Sequence, residues 1–248
     1  MSQRTSRRVG RPRAQDRPAS GLEPRDEVLA AAAELFTTHG YTATSTRAVA
    51  ERAGLRQASL YHYFDGKEAI LAALLEGTVR PSLEIARTLV ARTGASAGAR
   101  LWALCHSDVL LLCGGPHNLG ALYLLPEVQA ESFADFHRIR SELKFCYGEL
   151  LATIGPDREA RTDGKASVDE KAPVAEKAPT DEEALALVTD LVFGLTESVI
   201  LIRRADPGRD PRTLAEATAD AALRVAGVPR RSQARLRREA EELLAARD

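Results

Sequence analysis

A chain of 248 residues, 44% hydrophobic and 28% charged, carries enough apolar material to bury a core and too much to stay disordered. A formal net charge of −1 gives no global pull toward nucleic acid, and three cysteines (Cys105, Cys113, Cys146) exclude a disulfide framework. The Arg-rich start lacks the apolar stretch of a secretory signal, and runs such as 109–113 are short for a bilayer, so a reduced, soluble, cytoplasmic protein is expected.

Residues 1–22 are polar and rich in Arg, Ser and Pro, and residues 1–25 hold seven arginines against Asp16 and Glu23, a net +5. They read as a disordered basic arm, either a solvated tail or a partner for an anionic polymer through residues such as Arg11 and Arg13. From Pro24 the pattern turns helical. Val28, Leu29, Ala32, Leu35 and Phe36 share one face, and Gly40 stops that helix. A short second helix follows Thr44-Ser45-Thr46, with Ala48, Val49 and Ala53 inward and Gly54 permitting a tight turn. A third is expected over 56–64, and a long fourth from Lys67, kinked or divided by Pro81. Abundant Ala and Leu and scarce β-branched runs make the fold class all-α.

The remainder is helical as well. Elements are expected at 98–113, 117–125, 126–154, 181–204, 213–226 and from Pro229 onward. Residues 156–180 contain no aromatics and repeat Glu-Lys-Ala-Pro, so they read as a flexible loop. The last segment, 229–248, bears six arginines and four acids and reads as a charged helix with Leu236, Leu243 and Leu244 on one side.

One stretch has a specific logic: Gly40-Tyr41, Thr44-Ser45, Val49-Ala50, Ala53-Gly54-Leu55, Leu60-Tyr61-x-Tyr63-Phe64 and Lys67-Glu68 at fixed spacings. Two short helices joined by a Gly-containing turn cross steeply, small Ala50 and Ala53 allow close approach, and the second helix projects toward a DNA major groove. Over about residues 25–75 this pattern resembles the N-terminal domain of the tetracycline-repressor (TetR) family of regulators. The resemblance implies a three-helix helix-turn-helix DNA-binding domain (23–70) and a C-terminal helical ligand-binding and dimerisation domain (71–228). Two residues depart from the family pattern. Arg56 stands where Ser usually caps the reading helix, and Ala58 where Gly is frequent.

Arg56 and Gln57 are the candidates for base edges, with phosphate contact the alternative for Gln57; Ser59 and His62 lie on or near the same face. By the resemblance, Tyr61 and Lys67 contact phosphates, and Thr44, Thr46 and Arg47 touch the backbone across the groove. Leu60, Tyr63 and Phe64 are expected in the core.

The segment 181–204 is apolar nearly all round and needs cover on more than one side. The resemblance makes it, with 213–226, the homodimer interface, which suits double-stranded operator DNA carrying a near-palindrome. The family pocket falls among 98–113, 117–125 and 126–154. Its candidate lining is Trp102, His106, Leu110, Asn118, Tyr123, Phe133, Phe136, His137 and Arg140, with ordinary core packing the alternative for each. Glu197, inside the apolar 181–204 segment, is either a pocket carboxylate or an interface acceptor. The effector is expected to be small and largely apolar. Cys105, His106, Cys113 and His117 match no zinc spacing, no Glu-x-x-His occurs, and no convergent nucleophile, acid and base are found, so no metal, cofactor or enzymatic activity is expected. The reading is a ligand-responsive repressor that leaves its operator when an effector swings the fourth helix about Gly77 and Pro81. The alternatives are an activator of the same build or a helical interaction module without ligand control.

Overall fold

The computed structural model describes residues 21–154 and 180–246. The basic arm over 1–22, save its last two residues, and the loop over 156–180, save Thr180, lie outside the described residues. Ten α-helices and three 3-10 turns make up the regular structure of the described residues. They are α1 (Pro24–Thr38), α2 (Thr46–Arg52), α3 (Gln57–Leu60), α4 (Lys67–Ala91), α5 (Ala97–Cys113), α6 (Ala134–Ile154), α7 (Asp181–Glu197), α8 (Val199–Ala205), α9 (Pro211–Val225) and α10 (Arg230–Ala245). The 3-10 turns Leu119–Leu124, Pro126–Gln129 and Glu131–Phe133 link α5 to α6.

The start of each head helix has a chemical cause. Pro24 sits in the first turn of α1, where its missing N–H costs nothing. The Ser45 side chain accepts from the Ala48 N–H and caps α2. Gly54, at φ 67°, makes the turn into α3. Val28, Ala32, Phe36, Val49, Ala53, Leu60 and Phe64 close over Ile70, Leu71, Leu74 and Leu75 of α4. Tyr63 departs from expectation: it is 42% exposed, because α3 ends at Leu60 and the following turns rotate it into a surface cleft with Arg25, Leu29 and Ala69.

Helix α4 continues through Pro81 undivided. Proline deprives the Gly77 carbonyl of its partner, and its ring presses on that same carbonyl. Buried Leu75, Val79, Ser82 and Leu83 hold the helix on both sides of the lost bond. At its far end the buried Arg100 guanidinium donates to the carbonyls of Leu89 and Val90, a cation set against a helix C-terminus.

Besides α3, which ends at Leu60 rather than Phe64, three further boundaries differ from those read in the sequence. The helix expected from Pro126 begins at Ala134: Leu125 and Ala130 are extended, and the Val128 carbonyl bonds the His137 ring at 2.8 Å. The element expected over 117–125 is a 3-10 turn. The segment 181–204 breaks at Ser198, whose Oγ donates to the Leu195 carbonyl at 2.6 Å. Asp181–Ala205 is also, at 25 residues, long and apolar enough to cross a membrane by length and composition, a test that core helices of soluble proteins pass as well. It packs against α5, α6 and α9, and leaves Leu187 58%, Leu191 53% and Leu201 55% exposed.

The charged last helix is built into the fold. Glu239 of α10 accepts from both the N–H and the hydroxyl of Ser96, capping α5 from outside. Leu236 fills the notch at Gly98, where a Cβ would stand 2.8 Å from it. Arg237 lies over the Trp102 ring and pairs with Glu216.

Gly120 sets a similar close approach, since a Cβ there would meet Ile200 of α8 at 2.6 Å. Gly120→Ala is expected to lose about 1–3 kcal/mol of stability through overpacking, and Ile200→Val in that background to restore part of it. Urea midpoints at constant m value check this; additive losses in the double variant would contradict it.

Candidate DNA-reading face and effector core

Helix α3 is four residues long, and Leu60 is its buried member. That one anchor, 0% exposed in the core under α1 and α4, holds the helix. Arg56 and Gln57 at its start, and Tyr61 and His62 at its end, are exposed; Ser59 is half-buried. Arg56 occupies the cap position in extended backbone without a side-chain cap bond, which is the expected consequence of replacing Ser. Gln57 Nε2 donates to Thr46 Oγ1 at 3.3 Å, and Thr46 Oγ1 lies 3.3 Å from Tyr61 Oη. Arg47 is exposed and pairs with Glu51 one turn along α2. Arg56, Gln57, Tyr61, Thr46 and Arg47 therefore share one end of the head.

Two of the expected backbone-contacting residues are engaged within the protein. Thr44 is 5% exposed, and its hydroxyl donates to the Gly40 carbonyl at 2.8 Å, closing the loop between α1 and α2. This burial corrects the expectation of a DNA contact from its side chain. The Lys67 ammonium donates to the Tyr41 carbonyl at 2.9 Å and lies over the Tyr41 ring. It staples that loop to the start of α4, and the half-buried ammonium keeps a further donor. Burial, with Glu68 and Glu127 nearby, raises the Tyr41 phenol above its ordinary range.

The tentative pocket residues separate into three groups. Trp102 and His106 stack at 4.9 Å beneath α9 and α10, and Trp102 Nε1 donates to Asp220 at 2.8 Å. His106 is held below its ordinary pKa by burial. Leu110 and Asn118 belong to the junction with α8, where Asn118 Nδ2 donates to the Ile200 carbonyl. Tyr123, Phe133, Phe136, His137, Arg140 and Glu197 gather around α6: Tyr123 packs on Phe136, and Phe136 on His137. Phe133 and Phe136 are at most 2% exposed and close-packed. Arg140 and Glu197 form a two-bond ion pair (2.6 and 2.5 Å) with the guanidinium over the Phe193 ring.

Beside this third group lies a buried polar junction that the sequence reading passed over. Asp108, 4% exposed in α5, accepts from Ser82 of α4 at 2.7 Å and from Tyr147 of α6 at 2.9 Å. Tyr123 bonds to Thr78 of α4. Burial first, opposed by its two hydrogen bonds and reinforced by Glu197, pushes the Asp108 carboxyl up to about 6. Burial and Asp108 together drive Tyr147 well above its ordinary range, and burial pushes the Cys105 thiol up to about 12. The available signal was a lone carboxylate in an apolar helix, the same signal that marked Glu197.

The sequence model described as "Bacterial regulatory proteins, tetR family" matches residues 28–74. The transcriptional repressor KstR2 of Rhodococcus jostii is 40% identical over 142 residues, 56% of this chain and 69% of that protein. The crystal structure of Mycobacterium smegmatis AmtR superposes with a TM-score of 0.74 at 41% identity, covering 93% of this chain and 97% of that one. AibR, crystallised with isovaleryl coenzyme A and operator DNA, shares the fold at 19% identity and a TM-score of 0.58, over 80% and 97% of the two chains.

The raised Asp108 carboxyl has a stability consequence. Its folded value, about 6, exceeds the ordinary 3.8, so the folded chain binds the extra proton between these values and loses stability as pH rises through them. Relative to Asp108→Asn, the wild type should lose up to about 3 kcal/mol between pH 4 and 7. Paired denaturant titrations across that range check it, and parallel curves would contradict it.

Proposed function

The chain belongs to the tetracycline-repressor (TetR) family of DNA-binding transcriptional regulators, and from that premise we propose that it is a homodimeric repressor released from a near-palindromic operator by a small, largely apolar effector. The observation that carries the DNA half is the exposure of Arg56, Gln57 and Tyr61 at the two ends of a four-residue helix anchored in the core by Leu60 and tied to α2 through Thr46. Such a rod presents its leading side chains to a major groove about 12 Å wide. Arg56 suits guanine O6 and N7, Gln57 suits adenine, and Tyr61 and Arg47 suit phosphates. The head is taken as residues 23–70 and the effector and dimerisation body as 71–228.

The dimer reading rests on the apolar residues left open on adjoining helices: Leu187 and Leu191 of α7, Leu201 of α8 and Val225 of α9. A partner burying these leucines removes contiguous apolar surface from water. It also sets two heads a helical turn of DNA, about 34 Å, or a multiple apart.

The effector reading rests on the polar junction around Asp108, Tyr123 and Tyr147, with the partly exposed Arg140–Glu197 pair at its rim. A ligand entering here would need one or two polar groups for these partners and apolar atoms for the surrounding core. Three helices meet at Asp108, and one of them, α4, carries the head. A ligand that binds better when Ser82 has left Asp108 shifts α4 by its differential affinity for the two states, commonly about 1–3 kcal/mol.

Fluorescence anisotropy with a selected operator and a scrambled duplex, each at several salt concentrations, tests the DNA half. Specific binding is expected to fall steeply with salt, and Arg56→Ala to cost about 1–3 kcal/mol on the operator alone. Equal losses on both duplexes would reduce Arg56 to a phosphate contact, and salt-independent binding would remove the regulator reading.

A further inference from the structure

We infer that Thr46 is a positioning residue for base recognition: its hydroxyl, shared between Gln57 and Tyr61, aims the Gln57 amide at one base pair of each half-site. The inference rests on the reading of Gln57 as a base contact. Thr46 is the first residue of α2, whereas Gln57 and Tyr61 bracket α3. One hydroxyl thus ties the start of one helix to both ends of the other.

The donor and acceptor inventory gives this tie its meaning. Thr46 Oγ1 accepts one of the two Gln57 Nε2 hydrogens at 3.3 Å. Its own hydrogen is then free to go to Tyr61 Oη, also at 3.3 Å, which leaves the phenol proton available for a phosphate oxygen. Gln57 retains one N–H and its carbonyl oxygen. That remaining pair complements the N7 acceptor and the N6 amino donor of adenine in the major groove.

The alternative is that a glutamine at this position is a free, exposed side chain. Such a side chain pays rotamer entropy when it docks and accepts other base edges by rotating its amide. A tethered one has lost part of that freedom before DNA arrives, so base preference at its position depends on a residue that touches no base. The Thr46 hydroxyl also differs in kind from the family-derived expectation of a backbone contact. A phosphate contact acts evenly on all sequences, whereas a tether acts at one base pair.

Binding of the full-length protein to all single-base variants of an operator selected from random DNA tests this, using wild type, Thr46→Val, Thr46→Ser and Gln57→Ala. Gln57→Ala is expected to flatten preference at one base pair per half-site. Thr46→Val should weaken that same preference by roughly two- to tenfold, the range of one neutral hydrogen bond, with the salt slope unchanged. Thr46→Ser should retain it. Thr46→Ala repeats the test without the branched side chain in case valine disturbs the start of α2. Preference intact in both Val and Ala variants would overturn the inference, as would an even loss on every site, the signature of a lost hydroxyl–phosphate contact. No loss of preference in Gln57→Ala would remove the base-reading role of Gln57 itself, and the inference with it.

Discussion

Everything in this protein hangs on one helix that runs from the head into the body through a single continuous core. The first turns of α4 bury Ile70, Leu71, Leu74 and Leu75 against α1 and α3, and its later turns bury Val79, Leu83, Ala86 and Leu89 against α5 and α6. A close-packed interior does not bend by degrees, so a shared helix passes displacement from one end to the other as a unit. Both ends are secured. Lys67 pins the first turn to the loop between α1 and α2, and Arg100 holds the last carbonyls.

The body adds directional ties to this shaft. Ser82 and Thr78 of α4 bond to Asp108 and Tyr123, a carboxylate and a phenol that also meet α6 through Tyr147 and Phe136. A second link bypasses α4. Glu127, in the 3-10 stretch, accepts from Thr42 in the head at 3.0 Å, while Gly120 of the same stretch lies against Ile200 of α8. Arg203 of α8 in turn donates to the Gly115 carbonyl at 2.6 Å and to the carbonyls of Leu112 and His117. The orientation of the head is therefore set by α4 together with the segment that joins α5 to α6. Buried polar groups are costly when left unmatched, so each of these ties specifies one arrangement.

Much of this was legible before any coordinates. Apolar spacing marked the inward faces of α1, α2, α4 and α6, and the residues from Gly40 to Glu68 carried the helix-turn-helix through their resemblance to the family pattern. What escaped was of one kind. Periodicity reports which face of a helix is apolar; it is silent on which polar groups meet across helices. Asp108 was hidden in a helix read as a source of apolar surface, and Thr44 and Lys67 looked available because their acceptors are carbonyls distant in the pattern. The break at Ser198 and the 3-10 course of residues 119–133 have the same origin, since local side-chain bonds and extended Leu125 and Ala130 interrupt runs that composition would continue.

Arg56, Gln57 and Thr46 make up the proposed reading surface over the buried Leu60, and that surface has meaning only if it meets duplex DNA in pairs. Selection of bound sequences from a random duplex pool by the full-length protein measures this directly. The account predicts enrichment of a near-palindrome whose half-sites lie one helical turn, about 34 Å, or a multiple apart. Recovery of a single unrepeated site, or no enrichment above the starting pool, would contradict it.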